Sequence, residues 1–310
     1  MAGSGTATVT PVSDPRWPRA GDWLAAGPGS RRPDLAVVGV PTFTTSISPT
    51  GAHATPAAVR RALGRLSTWC ASRRVDVGGL AAWDAGDVEE PDVLVEGEFR
   101  ARVRAETASA KARLLVALGG DNSATYPTMA GVFGDRLVHA GLVTLDAHHD
   151  IREGRSNGSP VRNLIDAGLD PARVVQVGIA DWANSKSYAD EAYARGITVI
   201  SRGDVASRGI DACMKDALEV AGAGGAEVYV DLDLDVCDRA VAPGCPASLP
   251  GGLSAGDALQ AAFLAGHDPR VRAVDITEVD ATNDAADGRT VRLAAMCVLE
   301  TAAGLALRST

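Results

Sequence analysis

Apolar residues fall along most of the chain in short continuous blocks, separated by stretches where they recur at helical spacing. The blocks Leu35–Val40, Arg74–Val77, Leu114–Leu118, Gly141–Leu145, Val174–Ile179, Thr198–Ile200, Glu227–Leu232 and Val271–Ile276 read as buried strands. Between them Pro56–Leu66, Glu98–Arg113 and Ser254–Ala265 carry helical patterns. Pro56 suits the first turn of its helix with Thr55 as N-cap, and Ser254 is placed to cap its own. Strand alternating with helix predicts an α/β fold with a mainly parallel, eight-stranded sheet covered by helices on both faces. A closed (β/α)8 barrel also accommodates eight such strands, and periodicity alone leaves the two open. Residues 1–33, rich in Pro, Gly, Ser and Arg, read as an irregular N-terminal arm pinned by Trp17 and Trp23, and 34–310 as a single catalytic domain.

Composition narrows the function. The 310 residues are 46% hydrophobic and only 4% aromatic, which suits one large domain with an Ala, Val and Leu core. A net charge of −9 with no basic block argues against nucleic acid as a partner. The five cysteines form no CxxC pair, so reduced thiols are expected, and Cys237 and Cys245 read as packing residues because the charge around them is negative. No secretory signal and no membrane-length apolar run appear, so a cytoplasmic protein is expected.

The chemistry gathers at strand ends. Gly141–Leu145 runs into Asp146-Ala147-His148-His149-Asp150, two carboxylates around an imidazole, and Glu227–Leu232 runs into Asp233-Leu234-Asp235. In an open α/β sheet ligands bind beyond the carboxyl ends of strands, so the two clusters can share metal ions. Alternation would place Asp231, Asp233 and Asp235 on one face if the strand continued that far, stacking like charges that cations must neutralise. A solvated acidic turn explains either cluster alone; both together, with Asp275-Ile276-Thr277-Glu278, favour a metal site. Oxygen-rich ligation with one imidazole suits Mn2+ better than Zn2+ or Cu2+. His149 is expected to point away from the ligands and to pack behind them.

Gly119-Gly120-Asp121-Asn122-Ser123, Asp146-Ala147-His148-His149-Asp150, Asp233-Leu234-Asp235-Val236-Cys237-Asp238 and Asp275-Ile276-Thr277-Glu278 resemble, in order and spacing, the four signatures of the ureohydrolase (arginase/agmatinase) family. The resemblance implies an open three-layer α/β/α sheet and a homo-oligomer, trimer or hexamer. It also implies two Mn2+ ions, with Asp146 and Asp233 bridging, His148 and Asp235 on one ion and Asp150 on the other. Two such ions roughly 3.5–4 Å apart lower the pKa of a shared water and aim it at an amidine or guanidine carbon. Asp150 is the expected proton carrier, Glu278 the acceptor of amidine N–H groups, and Asp275 the residue that orients His148.

One position departs from the family pattern: Asn122 stands where a histidine ligand is usual. Its carbonyl oxygen is a weaker ligand than imidazole, which puts occupancy of one metal site in question, and a helix cap is the equally weighted reading. Downstream, Arg152, Arg155 and Arg162 in an otherwise acidic mouth suggest an anionic substrate tail, since the guanidinium fork pairs with carboxylates; for any one of them a structural ion pair is the commoner role. With Asn157 in Ser156-Asn157-Gly158-Ser159-Pro160, this region is most similar to the branch of the family that hydrolyses formimidoyl-L-glutamate, in histidine degradation, to L-glutamate and formamide. Asp181 corresponds to an acidic substrate-contacting position and fits a cationic substrate better. Two alternatives remain open: a hydrolase of agmatine or another guanidino compound that releases urea, and a metal-poor, non-catalytic family member.

Overall fold

A computed structural model describes residues 14–308. Its main sheet has eight strands, all parallel, in the order β4-β1-β5-β10-β9-β6-β7-β8. These are β1 (Leu35–Val40), β4 (Ala82–Asp87), β5 (Leu114–Gly119), β6 (Gly141–Leu145), β7 (Val174–Ile179), β8 (Thr198–Ser201), β9 (Val228–Asp233) and β10 (Val271–Thr277). A two-residue hairpin, β2 (Trp69–Cys70) with β3 (Val75–Asp76), stands apart.

The count of eight matches the sequence reading, but one member differs. Arg74–Val77 is not in the sheet: it supplies β3 of the small hairpin, and the sheet edge is β4 instead. β4 reads Ala-Trp-Asp-Ala-Gly-Asp and is mostly half-exposed, so it lacks the apolar block that marks the inner strands. Its Asp84 and Asp87 pair with Arg60, charges that protect an open sheet edge.

The inner strands are apolar on both faces because both are covered. Val37, Val116, Val143 and Val230 pack with one set of helices, including α2 (Thr55–Leu63), α8 (Ile210–Ala221), α9 (Ala255–His267) and α10 (Arg289–Ala306). The alternate residues Ala36, Val38, Leu115, Leu142 and Tyr229 pack against α3 (Glu96–Lys111), α4 (Thr125–Phe133), α5 (Pro160–Asp166) and α6 (Lys186–Arg195). Two cores, one on each side, make an open three-layer sandwich and exclude the barrel.

Two local expectations change. Thr55 is the first helical residue of α2 rather than its cap, and its hydroxyl donates to the Val279 carbonyl, tying α2 to the segment after β10. The arm is not irregular throughout, since α1 (Ala20–Ala26) forms and Trp23 Nε1 donates to the Leu80 carbonyl at 2.9 Å. Trp17 is 55% exposed, with the Arg19 guanidinium 5.3 Å from its ring. Ser254 does cap α9, in a reciprocal box with Asp257. No helix among the described residues is long and apolar enough to cross a membrane.

The connectivity places the site. The chain builds β1, β4 and β5 toward one edge, jumps to β6, β7 and β8 at the other, and only then fills the gap with β9 and β10. The central strands β5, β10, β9 and β6 therefore end side by side where the winding direction changes, the crevice in which open α/β sheets bind ligands.

Candidate metal centre and its cleft

Four strand ends converge on one buried acidic cluster. β6 runs straight into Asp146, and the following turn brings in His148 and Asp150. β9 ends at Asp233, and a 3-10 turn carries Asp235 back beside it, with Asp233 Oδ1 accepting from Asp235 N at 2.8 Å. The strand does not extend to Asp235, so it is this turn and not alternation that groups the two carboxylates. Asp231 and Asp233 do share a face, yet Asp231 lies one layer deeper. β10 delivers Glu278, and the turn after β5 delivers Asn122.

Ligand atoms of Asp146, His148 and Asp235 lie within 4.8 Å of one another, as do those of Asp146, Asp150 and Asp233. Asp146 belongs to both groups. His148 Nδ1 is 3.0 Å from Asp235 Oδ2 and 3.4 Å from Asp146 Oδ1, while the His148 backbone N donates to Asp146 Oδ1 at 2.6 Å. Asp146 Oδ2 is buried without a hydrogen-bond partner among the described residues.

Asp146, Asp150, Asp233, Asp235 and Glu278 are all at least nine-tenths buried, and only His148 offsets them nearby. Burial and the Asp235 charge push the Asp146 pKa up to about 6, and burial with the neighbouring carboxylates raises Asp150 and Asp233 well above the usual range. Burial and Asp121 push Glu278 up to about 8. Burial alone would lower His148, but Asp235 and Asp146 push it up to about 12. Despite its burial, Asp235 is held below the usual carboxylate range by His148, but the other four carboxylates are left short of positive charge, and the orphaned Asp146 oxygen has room for a ligand bond. Hard oxygens with one imidazole fit a divalent cation of the manganese type. Asp150 and Glu278 also hold positive φ, 51° and 60°, conformations that cost non-glycine residues and gather at functional sites.

Asn122 is buried and is not a helix cap. Asp121 caps that turn, its carboxylate accepting from Ser123 N at 3.2 Å. The Asn122 backbone N–H donates to Glu278 Oε1 at 2.8 Å. Its side-chain amide lies between Asp150 Oδ2, 2.7 Å from one end, and the hydroxyls of Thr125 and Thr277, 2.7 and 3.2 Å from the other. Gly120 permits this turn, because a Cβ there would stand 1.9 Å from the Thr42 carbonyl oxygen.

A cleft of about 340 Å3 opens onto the cluster, in the range of small-molecule sites. Of the residues expected to read substrate, it brings in Arg152 and Asn157 and leaves out Arg155, Arg162 and Asp181. Asn157 Nδ2 donates to Glu278 Oε1 at 2.8 Å and its Oδ1 accepts from Ile47 N at 2.9 Å, joining three loops. Arg155 is paired with Glu98 and stacked on Tyr126, outside the cleft. Arg162 bonds the Ile151 carbonyl at 2.7 Å and Glu191 at 2.8 Å, fastening the loop to α6. Arg152 has no ion-pair partner among the described residues. Asp181 lies exposed in the turn after β7, where the chain swings outward through Trp182 at φ 68°.

Asp275 does not orient His148, because β9 stands between β10 and β6. Its Oδ2 accepts instead from Thr125 Oγ1 and from Tyr229 OH, each at 2.8 Å. His149 is buried with its Nδ1 2.6 Å from Gln176 Oε1, and it also lines the cleft. Cleft residues to which the sequence reading gave no role include Ile47, Ser48, Tyr188, Pro246 and Ala247, and Asn184 and Ser185 also line it. Asn184 Oδ1 accepts from His149 N at 3.0 Å and its Nδ2 donates to the Ala147 carbonyl at 2.9 Å, bracing the turn after β6.

The arginase family model matches residues 33–304, and the chain belongs to that family, whose hydrolases act on amidino carbon–nitrogen bonds. Within it the chain is 33% identical over 312 residues to a formimidoylglutamase of Halalkalibacterium halodurans, covering 96% of each. It is 32% identical over 243 residues to a guanidinopropionase of Pseudomonas aeruginosa, covering 73% of each. Among solved structures, a formimidoylglutamase from Bacillus subtilis superposes with a TM-score of 0.89 at 28% identity, covering 100% of this chain and 97% of that one. A formiminoglutamase of Trypanosoma cruzi solved with Mn2+ gives 0.83 at 25% identity, covering 94% and 100%.

Proposed function

We propose that the protein hydrolyses N-formimidoyl-L-glutamate to L-glutamate and formamide, a step of histidine degradation, with two Mn2+ ions. Asp146 and Asp233 would bridge the ions, His148 and Asp235 would hold one, and Asp150 with Asn122 the other. When bound, the ions neutralise the carboxylates and acidify water as the nucleophile. The chain's own residues do the rest. Glu278, already fixed by N–H bonds from Asn122 and Asn157, accepts an N–H of the amidine and sets its plane. Asp150 carries a proton from the attacking water to the glutamate nitrogen, which leaves as the formimidoyl carbon gains oxygen.

The observation that carries the anionic substrate is Arg152. Three arginines follow the turn after β6; two are paired off with Glu98 and Glu191, and the third lies in the cleft with no ion-pair partner among the described residues. An unpaired guanidinium there disfavours agmatine, which has no carboxylate, but is compatible with a guanidino acid. The intact, mutually repelling carboxylates oppose a metal-poor, non-catalytic protein. Purified protein with Mn2+, offered formimidoyl-L-glutamate, agmatine and 3-guanidinopropionate, should release L-glutamate from the first and little urea from the others. Urea release with no turnover of the formamidine would overturn the assignment.

A further inference from the structure

His149 is clamped by a single side chain. Gln176, wholly buried in the apolar strand β7, donates from Nε2 to the His149 carbonyl at 2.7 Å, and its Oε1 lies 2.6 Å from His149 Nδ1. The His149 backbone N–H is held as well, donating to Asn184 Oδ1 at 3.0 Å. A glutamine between valines is costly unless its amide is bonded, and both ends of this one go to His149. The ring is therefore fixed in direction before any substrate arrives.

The clamp also decides which ring nitrogen carries the proton. Turning the amide over would set its oxygen 2.7 Å from the His149 carbonyl oxygen, two acceptors with no proton between them, so Oε1 must face the ring. Oε1 can only accept, so Nδ1 donates and carries the hydrogen. The partner is a neutral amide and not a carboxylate, and in the neutral imidazole Nε2 is then a bare lone pair. That nitrogen bonds to nothing among the described residues and is not sealed off, while His149 itself forms part of the cleft wall with Asp150, Asn184 and Tyr188. A lone pair in this place repels a carboxylate and receives an N–H.

We propose that His149 is a substrate-contacting residue whose Nε2 accepts the hydrogen bond of the internal amidine N–H, the one on the nitrogen that joins the tail, and that Gln176 is the positioning residue that fixes its ring and tautomer. The inference rests on the hydrolase reading above, in which Glu278 takes an N–H of the amidine and Asp150 protonates the leaving nitrogen. With its hydrogen held by His149, the internal nitrogen presents the lone pair that develops on attack of water in one direction only, toward the proton that Asp150 delivers.

Two variants separate this contact from the clamp. His149→Asn keeps an N–H near the Nδ1 position for Gln176 and removes the Nε2 acceptor, whereas His149→Gln carries an amide oxygen out to the Nε2 position. In Mn2+-loaded protein His149→Asn should cut kcat/KM on formimidoyl-L-glutamate by about 10- to 100-fold, the range for losing a hydrogen bond to a charged group, with bound Mn2+ and Tm unchanged, and His149→Gln should recover most of it. Undiminished turnover in His149→Asn, a loss that His149→Gln does not relieve, or a loss that follows the Mn2+ content overturns the inference. A readout that needs no turnover is 15N NMR of histidine-labelled protein loaded with diamagnetic Mg2+: the imidazole missing from His149→Asn should carry its proton on Nδ1, and a proton on Nε2 overturns the inference. Wild-type protein that leaves formimidoyl-L-glutamate intact overturns the function reading instead, and the same pair of variants is then compared on agmatine and 3-guanidinopropionate, which carry the same internal N–H.

Discussion

Replacing Arg152 with alanine should separate substrates by their tail and leave the reacting centre alone. The residue lies on the cleft wall with its stem against Gly158, where an added Cβ would meet Arg152 Cδ at 2.9 Å, and its backbone N–H donates to the Gly158 carbonyl at 3.0 Å. The loop should therefore keep its course in the variant. A hydrogen bond between charged groups contributes about 1.5–3 kcal/mol, whereas a fully exposed ion pair contributes under about 1. Arg152 is exposed until substrate covers it, so an intermediate figure of about 1.5–2 kcal/mol applies, roughly a 10- to 30-fold fall in kcat/KM on formimidoyl-L-glutamate. Most of it should appear in KM, because the tail contact is equally present in ground and transition states. Steady-state assays on formimidoyl-L-glutamate and on an uncharged N-alkylformamidine make the comparison, with Arg155→Ala as control: Arg155 is spent on Glu98, so its loss should change neither substrate by more than about twofold. Equal losses for Arg152→Ala on both substrates would mean that the metal site had been disturbed. No loss on either would remove the reason for an anionic tail.

Asp146→Ala, and separately Asp233→Ala, should abolish turnover and reduce bound Mn2+ measured by mass spectrometry, because Asp146 belongs to both ligand groups and Asp233 is buried against it; either variant with near-normal turnover would refute the bridging role. Metal-free protein should lose thermal stability as pH rises. Asp146 and Asp275 titrate near 6 and Glu278 near 8 in the fold, against ordinary values of 3.8 and 4.5, so the folded state binds more protons than the unfolded chain between those limits. His148, raised from 6.5 to about 12, acts in the same direction above its ordinary value, and His149, lowered by burial, opposes it as a single group. Tm should fall from pH 5.5 to pH 8 without metal, and added Mn2+ should raise it more at pH 8; a rising metal-free Tm would refute the account.

The fold was legible wherever a strand is covered on both faces, because such a strand must be apolar throughout, and Leu114–Gly119 or Val174–Ile179 can hardly be read otherwise. The edge defeated the same logic. Ala82–Asp87 is half-exposed and its carboxylates answer to Arg60, so its sequence carries the mark of a protected edge and not of a core strand.

The candidate metal residues were legible for a different reason. A carboxylate at the end of a buried strand has little use unless something neutralises it, so Asp146, Asp150, Asp233 and Asp235 declare themselves one strand at a time. What each polar residue does with its neighbours needs the third dimension. Arg155 and Arg162 look like substrate readers in the sequence because Glu98 and Glu191, which claim them, lie on α3 and α6. Asp275 looks like a partner for His148 until strand order puts β9 between them and turns its carboxylate toward Thr125 and Tyr229. Asn122, the one departure from the family pattern, belongs to the same buried network. The Thr125 hydroxyl on α4 lies 2.8 Å from Asp275 Oδ2 and 2.7 Å from the Asn122 amide, so a carboxylate on β10 and an amide after β5 share one partner that only the order of the strands brings between them.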